Sequence, residues 1–145
     1  MNAKNFLSQS EREDIQRCIA EAELRTSGEI RVHIEDTFKG DVMMRGQSVF
    51  AKLKMHETVL RNGVLFYLAV SDKQFAIIAD AGINSKVPKG FWDAISKEMS
   101  AEFAQGRFLN GLMIGIDMTG EQLKHFFPRS SDDKNELSNE ISFGE

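Results

Sequence analysis

Residues 58–83 read TVLRNGVLFYLAVSDKQFAIIADAGI. Inside this stretch GVLFYLAV (63–70) is an unbroken apolar run rich in strand formers, the pattern of a central strand covered on both faces. SDKQ (71–74) turns the chain, and FAIIADA (75–81) pairs back as the next strand. Upstream, GEIRVHIE (28–35) alternates Ile30, Val32 and Ile34 with Arg31, His33 and Glu35, the period of a strand with one buried and one solvated face. Between these strands Asp41 can cap a helix in which Val42, Val49, Phe50 and Leu53 share a face. A strand, a crossover helix and a strand form a β-α-β unit, with parallel strands and a right-handed crossover. The last strand then returns antiparallel, giving a small mixed sheet.

The flanks add helices to this sheet. Ser10 and Glu13 make an S-x-x-E capping box ahead of Ile15, Cys18, Ile19 and Ala22, and Gly28 is placed to end that helix in the left-handed conformation. Pro88 can begin another helix, with Phe91 or Trp92, Ile95, Met99 and Phe103 turned inward. The final helix runs from about Leu109 to Phe126, until Pro128 stops it. Gly111, Gly115 and Gly120 weaken it by about 1 kcal/mol each relative to alanine, so they are expected where backbones approach closely. About four helices around a small sheet make an α/β layered domain over residues 1–128. Residues 129–145 are polar and aperiodic and are expected to form a disordered tail.

Composition narrows the class of function. The tail holds two basic and five acidic side chains, so it carries −3 of the net −4 and leaves the body nearly neutral. Without a basic stripe, nucleic acid is not an expected partner. Cys18 is the only cysteine, which excludes an internal disulfide, and no Cys/His set has zinc-ligand spacing. The opening MNAKNFLSQSERED lacks an apolar signal region, and no stretch reaches the roughly 18 apolar residues of a membrane span. A cytoplasmic location is the expectation.

The strand directions bring three polar segments to one sheet edge. They are the start of the first strand (Thr26, Ser27, Gly28, Glu29), the start of the second (Thr58, Arg61, Asn62, Gly63) and the end of the third (Asp80, Ala81, Gly82, Asn84). The carboxylates of Glu29 and Asp80, with Asn84 and backbone carbonyls, suit a hard cation such as Ca²⁺ or Mg²⁺. The planar fork of Arg61 suits phosphate or carboxylate. Ser27, Gly28, Glu29, Arg61, Asn62, Gly63 and Gly82 are the expected ligand-binding set. Asp80 would serve equally well bonding amides of its own turn or pairing with Arg61. His33, His56 and His125 lie on different elements, which argues against a shared catalytic role.

TSGEIRVHI, RNGVLFYLAV, FAIIADAGI, FWD and FAQGRFLNGLMIGI, ending at HFFP, occur in an order and spacing that resemble the TPM domain family across residues 10 to 128. The resemblance implies a three-layer α/β/α sandwich. It also implies acid phosphatase activity and divalent cation binding, both attributed to a family that includes photosystem-repair proteins of the thylakoid lumen and many bacterial proteins. Many relatives have a G-x-G turn with a nearby acid after the third strand. Here Asp80 stands at the first glycine and Gly82 at the second, so Asp93 becomes a further candidate for the acidic ligand.

Phosphatase chemistry meets few of its usual requirements. Six residues separate Cys18 from Arg25, where C-x5-R needs five, and Asp80-Ala81-Gly82 lacks the second carboxylate of D-x-D. What remains is a single metal on Asp80, with Glu29, Asn84 or Asp93, activating a water while Arg61 neutralises phosphate charge. Asp80 and Arg61 are thus the catalytic candidates for weak phosphomonoester hydrolysis. The alternative expectation is a non-catalytic module that docks a membrane-associated protein partner through the acidic tail.

Overall fold

In a computed structural model that describes residues 3–130 and 135–144, the chain forms a four-stranded mixed sheet with helices on both faces. A one-turn helix α1 (Ala3–Phe6) leads into α2 (Gln9–Glu23), followed by β1 (Glu29–Glu35), α3 (Val42–Lys52), β2 (Gly63–Ala69) and β3 (Gln74–Ala79). Then come a one-turn α4 (Ala81–Asn84), α5 (Asp93–Ala104), α6 (Phe108–Leu123) and β4 (Ser142–Phe143). The strand order is β3-β2-β1-β4. β1 runs parallel to β2 with Glu29 opposite Gly63, and β2 runs antiparallel to β3 with Val64 opposite Ala79. The β-α-β unit and the return hairpin expected from the sequence are both present.

Side chains alternate across the sheet, so β2 and β3 each feed two cores, while β1 feeds one and turns polar side chains to the other. Ile30, Val32, Ile34, Val64, Phe66, Leu68 and Ile77 pack beneath α2, α5 and α6. Leu65, Tyr67, Ala76 and Ile78 pack beneath α3, against Val49 and Phe50. These two layers and the sheet between them are the three-layer sandwich. Every residue of β2 is buried, as its unbroken apolar run requires, and each large side chain there contributes about 1.5–3 kcal/mol. In α6, a Cβ at Gly111 would collide with the Phe103 ring, one at Gly115 would sit 2.5 Å from Met99 Sδ, and one at Gly120 would sit 2.8 Å from Ala22 Cβ. The glycines mark where α6 is pressed against α5 and α2.

Several local expectations shift. The capping box is made by Ser8 and Glu11, two residues before Ser10 and Glu13. α2 ends with Leu24 in the right-handed conformation, so Gly28 is not its left-handed cap; it lies against Leu123 instead. Pro88 precedes α5, which begins at Asp93, and the turn after β3 is itself a short helix capped by Asp80.

Two corrections are larger. The polar side of β1 is not solvated, because His33 and Glu35 are both buried. And the tail, over its described residues, is not disordered but laid against the body. β4 pairs parallel with β1 at His33 and Ile34, Ile141 is buried, and the Glu29 carboxylate accepts the backbone N–H groups of Glu136 (2.8 Å) and Leu137 (2.9 Å). Residues 131–134 and 145 of that expectation lie outside the described residues.

Candidate functional site

The sheet edge forms as the topology requires. Asp80 N–H donates to the Gly63 carbonyl (3.0 Å), and Glu29 N–H donates to the Asn62 carbonyl (3.1 Å), which ties together the start of β1, the start of β2 and the end of β3. Thr58 shapes the approach to β2: its carbonyl accepts Arg61 N–H (3.2 Å) and its hydroxyl accepts Asn62 N–H (3.2 Å). Arg61 is held in the left-handed region at φ 52°, an uncommon conformation for a residue with a side chain. It aims the guanidinium across the edge at Asp80.

There the arginine makes a fork-to-fork pair. Nε donates to Asp80 Oδ2 and Nη2 to Oδ1, both at 2.8 Å, and Asp80 Oδ1 also accepts Ala81 N–H at 2.7 Å as the cap of α4. The Asp80 side chain is 5% exposed while that of Arg61 is 51% exposed, so the arginine covers the carboxylate and itself faces water. Its bonds to Asp80 raise the Arg61 pKa further. Gly82 is obligatory at this point, because a Cβ there would stand 2.5 Å from the Arg61 carbonyl oxygen and closer still to that of Leu60.

The remaining expected residues divide into separate environments. Asn62 and Asp80 lie on opposite faces, since Gly63 is the residue opposite Asp80 and side chains alternate along β2. Asn62 Nδ2 donates to Ser27 Oγ at 3.3 Å, while its buried Oδ1 has no hydrogen-bond partner among the described residues. Glu29 is on the Asp80 face but is committed to the amides of Glu136 and Leu137; burial raises its pKa against those two bonds. Asn84 donates from Nδ2 to the Ala79 carbonyl (3.0 Å). With Asp93, Lys89 and Trp92, Asn84 lines a separate cavity of about 350 Å³. Among the described residues, no three His, Cys, Asp or Glu side chains gather to hold a metal ion.

A second charged cluster went unread in the sequence. Glu35 accepts from Arg45 Nε (2.9 Å) and Nη2 (2.5 Å) and from the Tyr67 hydroxyl (2.5 Å), with His33 Nε2 3.3 Å away. His33 Nδ1 lies 2.8 Å from Ser142 Oγ on β4. Burial pushes the Glu35 carboxyl upward, but the bonds from Arg45, Tyr67 and His33 outweigh it and hold the pKa down to about 2. Burial lowers His33 and raises Tyr67. The signal available was the alternation itself: Arg31, His33 and Glu35 share one face, and that face requires partners if it is covered.

The TPM domain model matches residues 1–122. The chain is 47% identical to the BA42 protein of the psychrophilic bacterium Bizionia argentinensis, covering 96% of both chains with a TM-score of 0.91. The N-terminal domain of a P. gingivalis protein shares the fold at 16% identity (TM-score 0.70; 84% of this chain and 79% of that one). A Corynebacterium glutamicum N-terminal domain does so at 15% (TM-score 0.65; 93% and 79%). No curated protein matches the sequence.

Proposed function

Since the chain belongs to the TPM domain family, we propose that it is a cytosolic ligand-binding module whose sheet edge takes a divalent cation, Ca²⁺ or Mg²⁺, or a phosphorylated small molecule. The observation that carries this reading is the Arg61–Asp80 pair: a sheltered carboxylate closed over by a half-exposed guanidinium. Arg61 is the half-exposed partner, so its guanidinium can swing into water, while the carboxylate it leaves keeps the Ala81 N–H and needs a replacement charge, which a cation supplies. A cation would take Asp80 and release Arg61; a phosphate would take Arg61 and release Asp80. Both ligands together would satisfy both halves.

The donor set is thinner than the sequence suggested. Glu29 serves the tail and Asn84 faces the separate cavity, so a cation on Asp80 would complete its shell from carbonyls of the Leu60-Arg61 turn and water. Sites with few charged ligands bind calcium in the range of about 10⁻⁴–10⁻³ M. Weak phosphomonoester hydrolysis is a secondary part of the proposal, through a cation-acidified water with Arg61 neutralising the developing phosphate charge. Asp93 and Asn84, which share the other cavity, do not belong to this set. No helix among the described residues is long and apolar enough to cross a membrane.

The alternative is a module that docks a membrane-associated partner through its tail, of which residues 135, 136, 138 and 140 are exposed while Glu29 and β1 hold it. The test is a ¹⁵N titration of the whole chain with CaCl₂, MgCl₂ and then a phosphomonoester, for wild type and Asp80→Asn. Saturable shifts at Arg61, Gly63 and Gly82 that disappear in the variant support the sheet-edge reading. Amides that stay in place at millimolar ligand overturn it.

A further inference from the structure

The opposite end of the sheet carries a groove that the reading above does not use. The end of β2, the hairpin around Lys73 and Phe75, the C-terminal part of α5 at Phe103, the start of α6 at Phe108 and Phe6 enclose about 250 Å³. This volume falls just below the usual range of small-molecule pockets, about 300–1,000 Å³, and fits one short chain or a single ring. The carboxyl ends of parallel strands are also where open α/β sheets bind ligands.

Its walls are set by ring contacts rather than left to collapse. Phe75 meets Phe103 edge-on (centroids 5.1 Å), Phe103 stacks on Phe108 (5.7 Å), and Phe108 meets Phe6 edge-on (5.2 Å). Gly111 of α6 leaves only a hydrogen against the Phe103 ring, which holds that ring in position. The polar groups at the groove share one property: each can donate. They are the Lys73 ammonium, the Gln74 amide and the Ser100 hydroxyl, and no carboxylate lines the groove. Lys73 sits in the left-handed region at φ 54° on the hairpin and forms no ion pair among the described residues. An apolar body and an acceptor head with negative charge complement this lining.

We propose that the groove binds a small monocarboxylate with an apolar body, free in solution, its chain or ring among Phe75, Phe103 and Phe108 and its carboxylate on Lys73. The test uses ¹⁵N-labelled full-length protein titrated with octanoate and with its neutral isostere octanamide. The result expected is saturable octanoate binding that moves amides at Ala69, Val70, Phe75 and Phe103 while Gly63 and Gly82 stay fixed. Octanamide should bind about two- to five-fold more weakly, the range an exposed ion pair supports. Lys73→Glu should weaken octanoate by at least that factor and leave octanamide unchanged. Ala104→Trp, a change at an exposed position on the rim, should fill the mouth and lower octanoate affinity tenfold or more without moving amides at the far edge. Equal affinity for octanoate and octanamide would overturn the charged-head assignment. Shifts that do not saturate, or that survive Ala104→Trp, would overturn the groove.

Discussion

Among the described residues two carboxylates receive an arginine fork, and they do different things with it. Glu35, under α3, holds Arg45 together with the Tyr67 hydroxyl and His33. Asp80, at the sheet edge, holds Arg61 and one further donor, the N–H of Ala81. If Arg45 departed, Glu35 would remain a buried charge inside a covered layer. If Arg61 departed, Asp80 would keep its helix cap and meet water or a cation. Under the proposed function the first ion pair is part of the fold and the second is exchangeable; the two carboxylates are about equally buried, and the difference lies in the number of their other donors and in the greater exposure of Arg61.

The largest break in this comparison should come from Glu35→Ala. Removing one partner of a buried pair costs about 3–5 kcal/mol, because Arg45 and Tyr67 lose their acceptor. Urea denaturation at pH 7 measures it; a loss below about 1 kcal/mol would place Glu35 in the same class as Asp80. The pH dependence has a defined sign. The folded pKa is depressed from 4.5 to about 2, so the stabilisation is fully present above about pH 4.5 and is lost as pH falls towards 2.

A third carboxylate sharpens the contrast, since it is buried with no fork. Glu23 accepts Ile30 N–H at 2.9 Å, and burial, with Glu29 nearby, raises its pKa to about 7 against that bond. The folded state binds this proton more tightly than the unfolded chain does, so stability falls as pH rises from about 4.5 to 7. Glu23→Gln keeps the acceptor and should raise stability at pH 8 by on the order of 1–3 kcal/mol while flattening that part of the profile. Thermal melts from pH 4 to 8 check both.

Smaller effects belong to the rim. Gly82→Ala drives a methyl into the carbonyls of Leu60 and Arg61 and should cost about 1–3 kcal/mol, read by urea denaturation. Arg61→Ala should cost less than Glu35→Ala in the same assay, because Asp80 keeps the Ala81 N–H and the position it loses is half open to water. The rim is built by its backbone, and the ion pair lies on top of it.

Much of this architecture was legible, and the misses have physical causes. The unbroken apolar run of β2 and the alternation of β1 were enough to give a parallel pair, and parallel pairing with a return hairpin brings Thr58, Arg61, Glu29 and Asp80 to one edge. Both Ser8-x-x-Glu11 and Ser10-x-x-Glu13 fit a capping box, and local pattern alone does not choose between them. Alternation states that Arg31, His33 and Glu35 share a face but not what covers it; α3 and the tail do. The tail lacked periodicity because it is attached through backbone amides, a two-residue strand and the isolated apolar side chain of Ile141. Within the site, the period of two already separates Asn62 from Asp80, a consequence that edge convergence alone obscures.

The most direct measurement follows the side-chain Nε–H resonances of Arg61 and Arg45 in one calcium titration. An exchangeable rim and a fixed interior require the Arg61 signal to move saturably as Asp80 takes the cation, while the Arg45 signal stays in place on Glu35. A stationary Arg61 signal at saturating calcium, or equal movement of both, would contradict the assignment of the sheet edge as the binding site.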